Sequence, residues 1–239
     1  MRDREIDEIL KRVVRTPHDV DPALLDRIAG SIAPSLSPVR PLPPARVLAG
    51  GLFLICVAVA TLGGAFLGMH GIQRMSVLER ALIFPALGVF LALVATACLG
   101  EVIPGSQRRL APGLLLAAGS VGLIAVFGLL FRDYRTERFV PQGIACLTAG
   151  LGLAIPAALG SWLLLRRGFA VNPAAAGLAA GTLAGLAGVI MLELHCQNFE
   201  APHVMLWHTA VMPVSAAAGA LLAGRLADSL WSAGRPLRH

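Results

Sequence analysis

Charge is scarce in this chain. Of its 239 residues only 14% are Asp, Glu, Lys or Arg, and only 5% are aromatic. A soluble domain of that size needs a polar surface that this composition cannot supply, which excludes an ordinary globular protein. No run of basic residues interleaved with aromatics occurs, so no direct contact with nucleic acid is expected. Motifs that carry catalysis are also missing: there is no G-x-S-x-G, no H-E-x-x-H, no phosphate-binding loop and no G-x-G-x-x-G opening a βαβ unit. An enzyme is therefore not expected. The apolar runs carry no charge near their middles, which argues against an ion-coupled transporter.

Long apolar runs are abundant: 56% of the residues are hydrophobic. A span of about 20 apolar residues crosses about 30 Å of hydrocarbon. Six such runs are present, at about 47–69, 81–103, 112–131, 142–165, 174–194 and 205–224. The expected fold is all-α, a polytopic bundle of six transmembrane helices in a lipid bilayer. The expected division is a cytoplasmic amphipathic segment with a Pro-rich connector (1–46), the six-helix domain (47–224) and a basic cytoplasmic tail (225–239). Six spans place both termini on one side. With the N-terminus inside, the inner segments hold 15 of the Lys and Arg residues and the outer ones five. That bias puts both termini in the cytoplasm. Pro85, Pro156 and Pro213 fall within spans, as kinks that a bundle tolerates.

The first 46 residues are the long polar stretch. Ile6, Ile9, Leu10 and Val13 recur at helical spacing, and Pro17 stops that helix. Asp21-Pro22 then reads as an N-cap followed by Pro at the first helical position. Leu24, Leu25, Ile28 and Ile32 form the apolar stripe of the second helix, which Pro34 and the run Pro38 to Pro44 close off. Helices this short are marginal alone, so their stripes need a partner. They lie on lipid, fold on each other, or dock into a cytosolic protein. A cleavable signal peptide does not fit, because the first apolar run starts late and is too long.

Span five carries Gly177, Gly181 and Gly185 at four-residue intervals, one face on which a second helix backbone comes close. Glu193 lies near the outer end of this span, and His195, Cys196, His203, Trp207 and His208 follow. Such a set can hold a soft or divalent metal ion or respond to pH, and it can equally anchor a membrane boundary. Of the four cysteines, Cys56 and Cys98 read as small apolar side chains within spans. Cys146 and Cys196 fall at the same outer face, where a disulfide, a dithiol switch, a soft-metal pair and two unrelated thiols are all open. The loop Arg132 to Arg138 reads as a solvated, mutually paired charge run.

Several segments taken together resemble a known family. They are PVRPLPP at 38–44, GIACLTAG at 143–150, WLLLRRG closing span four, the small-residue start of span five, and LHC…WH at 194–208. The set resembles the NrsF family of six-span bacterial anti-sigma factors. The resemblance implies a bacterial inner-membrane protein that binds an extracytoplasmic-function sigma factor through its N-terminal segment. It also implies stress sensing by a cysteine pair, which here matches Cys146 and Cys196. The competing expectation is a small membrane transporter or metal-handling protein that uses the outer His/Cys cluster of 193–208, with Glu193, His195, His203 and His208 as possible metal ligands.

Overall fold

The computed structural model describes residues 21–35, 42–103, 111–166, 168 and 170–233. Every regular element among them is helical. The stripe Ile6, Ile9, Leu10 and Val13, most of the Pro-rich connector, Arg108-Arg109 and the end of the basic tail lie outside the described residues. The chain divides into two units, 1–41 and 42–239.

In the first unit, α1 spans Pro22–Ile32. Asp21 caps it, its Oδ1 accepting from the Ala23 amide at 2.9 Å, with Pro22 at the first helical position where a missing N–H costs nothing. The helix gives way to a 3₁₀ turn at Ala33–Ser35, where Pro34 lies. Leu24, Leu25, Ile28 and Ile32 are each 44–53% exposed.

The second unit is the bundle. Its elements are α2 (Ala45–Leu67), a one-turn α3 (His70–Arg74), α4 (Val77–Val102), α5 (Pro112–Leu130), α6 (Phe139–Leu165) and α7 (Pro173–His195). A short α8 (Ala201–His203) runs through a π-helical turn, Val204–His208, into α9 (Thr209–Ala233). Six of these stretches are long and apolar enough to cross a membrane, the last being Ala201–Ala227. The fold is thus the expected six-span helical bundle.

The polar ends of these helices are tied by local chemistry. Ser76 and Glu79 form a capping box at α4: the Glu79 amide donates to Ser76 Oγ (3.2 Å) and the Ser76 amide to Glu79 Oε2 (2.6 Å). Asn172 caps α7 by accepting from the Ala175 amide at 3.1 Å. Gly68, at φ 100°, ends α2 in a backbone region open mainly to glycine.

Helix α7 is the axis of the bundle. Of its most apolar stretch 78% is buried, against 11–44% for the other spans. Small side chains make this possible. A Cβ added at Gly185 would stand 2.7 Å from Met212 Cα, and one at Gly181 would stand 2.8 Å from Ala216 Cα. Gly177 faces the Gly219 carbonyl in the same way. The three glycines therefore seat α9 directly on α7. On another face of α7, a Cβ at Gly188 would reach the Gly150 carbonyl of α6 at 2.5 Å. These close approaches hold the C-terminal end of α7, with Glu193 and Cys196, against both α6 and the start of the last span.

Candidate functional site

The site forms where three elements meet: the second turn of α6, the end of α7 and the π-helical start of the last span. Cys146 lies seven residues into α6, about 10 Å along it at 1.5 Å per residue. Cys196 is the C-cap of α7, its amide still bonded to the Leu192 carbonyl. The two sulfurs are 3.6 Å apart, and both thiols are free. Gly71 of α3 packs against the same helix end, where a Cβ would stand 2.5 Å from the Cys196 carbonyl and 2.7 Å from that of Glu193.

The histidines come in through the π turn. Residues five apart on an α-helix point about 140° away from each other. The turn Val204–His208 is instead wound with i to i+5 hydrogen bonding, which brings His203 and His208 to one side. Their rings meet edge to face with centroids 5.3 Å apart. His203 Nε2 is 3.7 Å from Cys196 Sγ. His208 Nδ1 is 2.7 Å from Glu193 Oε1, and both side chains are fully buried. One ligand atom each from Cys146, Cys196, His203 and His208 falls within 4.8 Å of all the others. Cys196 is pushed above the ordinary thiol range, first by its hydrogen bond with Cys146 and then by burial, with the two imidazoles opposing.

Not every residue of the expected cluster enters it. His195 turns the other way, its Nδ1 2.9 Å from the Gly68 carbonyl at the end of α2 and its ring 6.4 Å from that of His70. It ties α7 to α2. Trp207 packs on Phe139, with centroids 5.6 Å apart, over the gap that Gly143 leaves. Glu193 joins as the partner of His208. Cys56 and Cys98 are buried in the helix packing of α2 and α4.

Above the cluster lies a polar cleft of about 560 Å³, lined in part by Arg74, Arg135, Arg138, Gln142, Asn198 and Glu200. The Asn198 carbonyl accepts from Cys196 Sγ at 3.7 Å, and its side chain donates to Gln142 Oε1 at 2.7 Å. Asn198 thus links the wall of the cleft to Cys196 and to Gln142 of α6. Asp133 and Arg135 pair across its rim, and those hydrogen bonds hold the Asp133 carboxyl below the usual carboxylate range. The Ala201 amide donates to the Asp133 carbonyl at 2.6 Å, pinning the rim to the start of the last span. Phe199 stacks on Phe131 at 5.2 Å beneath it.

The family model described as negative regulator of sigma F matches residues 32–228. The chain belongs to the NrsF family. No curated protein and no solved structure matches it. The NrsF match takes in all six membrane-spanning helices and every residue of the Cys/His cluster. It begins at the last residue of α1, so Leu24, Leu25 and Ile28 precede it. Membership makes this protein a negative regulator of a sigma factor built on a membrane bundle. Two features of the NrsF-type bundle found here were not readable beforehand. The π turn had no signal in an α-helical reading of the spacing His203 to His208. The Glu193–His208 pair had one, since a carboxylate at the end of an apolar helix calls for a partner.

Proposed function

We propose that this protein holds an extracytoplasmic-function sigma factor at the inner face of a bacterial inner membrane and releases it when the outer Cys/His cluster changes state. The family match carries the first half. A negative regulator of a sigma factor that sits in a membrane acts by keeping its target there, away from RNA polymerase. The segment 1–37 is the holding element. Its α1 presents Leu24, Leu25, Ile28 and Ile32 at about half exposure, a stripe suited to a helix-in-groove contact. The Lys/Arg bias supports a cytoplasmic position for this segment and both termini.

The second half rests on the geometry of Cys146 and Cys196. Residues 42–44 enter the bundle at the start of α2, whereas the cluster lies at the other end, where His195 meets Gly68. The 23 residues of α2 separate the two faces by about 35 Å. Input and output therefore lie on opposite sides. A transporter reading gains no support: the buried carboxylates among the described residues, Glu101 and Glu193, both lie within two residues of the C-terminal ends of their helices, away from the middle of the spans.

Co-purification from bacterial membranes tests the proposal. The full chain is expected to bring down a sigma factor, and a chain lacking residues 1–37 is expected to lose it. Equal recovery, or none with either chain, contradicts the holding role.

A further inference from the structure

We infer that Cys146, Cys196, His203 and His208 form a closed four-ligand site for a soft or borderline d10 cation of the Zn2+ class, with Glu193 as its outer support. For its regulatory meaning, this rests on the reading of Cys146 and Cys196 as the sensing pair. The existence of the site stands on geometry alone.

Distances come first. Two thiolates bound tetrahedrally at about 2.3 Å would stand about 3.8 Å from each other, and a thiolate and an imidazole nitrogen about 3.6 Å. The structure has 3.6 Å between the two sulfurs and 3.7 Å between Cys196 Sγ and His203 Nε2. No two of the four ligand atoms are more than 4.8 Å apart, so the final closure lies within side-chain rotation. Two thiols in simple contact account for the first distance. They do not account for two imidazoles converging on the same point.

Unmet hydrogen bonding comes second. His208 is fully buried, and its Nε2 has no hydrogen-bond partner, while its Nδ1 is held by Glu193. Glu193 Oε2 is equally buried and without a hydrogen bond. Buried polar atoms left without a hydrogen bond are costly, and His208 belongs to the converging ligand set. A carboxylate on the far nitrogen of an imidazole is the arrangement that fixes a metal-ligating histidine: it sets the tautomer and aims Nε2 at the ion. A divalent cation would also neutralise the two thiolates in a water-poor setting.

Chemistry of the donor set comes third. Two sulfurs and two nitrogens in tetrahedral array select Zn2+, Cd2+ or Cu+ over the hard cations Mg2+ and Ca2+. Four protein ligands leave no open position, so the site would serve structure or sensing and not hydrolysis. Asn198 lines the polar cleft and its carbonyl accepts from Cys196 Sγ, so an ion would enter from the cleft by displacing that contact.

The test uses the full chain in detergent, reduced with a phosphine, with Zn2+ titrated against a chromophoric chelator and Co2+ as a spectroscopic probe. One Zn2+ per chain is expected. Co2+ should show the strong visible bands of a tetrahedral site with thiolate charge transfer in the near ultraviolet. Cys146→Ser should abolish the charge-transfer band of one thiolate and weaken binding. Glu193→Gln, nearly the same in shape, should weaken it about 10- to 100-fold. Cys98→Ser should change nothing. Absence of Zn2+ binding, an octahedral Co2+ spectrum, or equal affinity in wild type and Cys146→Ser would overturn the site. Because the wild-type spectrum needs no variant, a misfolded mutant cannot rescue the claim. Sigma-factor retention, measured separately, distinguishes the two readings: metal bound with no sigma factor held leaves the site and removes its regulatory role. Cysteine-dependent release from a chain that binds no metal does the reverse.

Discussion

Cys146 and Cys196 stand 50 residues apart in the chain and 3.6 Å apart in space. Nothing in their local sequence carries that distance. Each follows from a neighbour's size: Gly150 and Gly188 let α6 and α7 close on each other, and Gly71 lets α3 press on the end of α7. The pair is expected to be the first to oxidise. Diamide, a dehydrogenating azo compound, should take two electrons and two protons from the two thiols, becoming the hydrazine while a Cys146–Cys196 disulfide forms. Peptide mass mapping after alkylation checks this. A cross-link of Cys146 to any other cysteine would contradict the placement. The thiol of Cys196 is held above its ordinary value chiefly by Cys146, so it favours the neutral form and gains thiolate only as pH rises past that raised value. Its alkylation rate should therefore have a pH midpoint above that of a free thiol, and Cys146→Ala should lower that midpoint. A midpoint unchanged by the substitution would show that burial alone sets it.

Helix ends and helix contacts divide what can be read from a sequence from what cannot. The six spans are legible because lipid demands about 20 apolar residues in a row, and nothing else in a chain looks like that. Their ends are less so. Hydropathy starts span two at 81, whereas the helix starts at Val77, because Ser76 and Glu79 cap it with polar side chains. The last span begins at Ala201, four residues before the apolar run, through Ala-Pro-His. The glycines 177, 181 and 185 were readable as one face, but which helix covers it was not; the structure puts α9 there. That His203 and His208 come to one side of the chain was not legible, because an α-helical period sets them about 140° apart and the chain forms a π turn there. At this scale the account predicts that Gly181→Val, whose added carbons meet the α9 backbone, destabilises the protein in detergent by about 1–3 kcal/mol. Gly152→Ala, with open space around it, should instead be neutral or stabilise by up to about 1 kcal/mol. Thermal unfolding in detergent decides: equal effects at the two positions would mean that α9 does not seat on that face.

Across the whole molecule, the Cys/His cluster and the entry of residues 42–44 into α2 lie about 35 Å apart on the length of that helix. To move a bound partner from nearly all held to nearly all free, a signal must favour one state of the bundle over the other by about 5.5 kcal/mol. Capture of a Zn2+-class ion by four protein ligands supplies about 10–16 kcal/mol where a site is well formed. A part of that, spent on drawing α6, α7 and the last span together, is enough. Helix α7 is the element able to pass it on, because it is buried along its length and touches both the cluster and the inner half of α9.

The measurement that tests this most directly is sigma-factor release from spheroplasts carrying the full chain. Zn2+ is added outside, the cells are lysed, and the sigma factor is followed between membrane and soluble fractions. The account predicts that it leaves the membrane in wild type and stays in Cys146→Ser and His208→Ala. Retention in all three, or release in all three, would contradict control of the inner partner by the outer cluster.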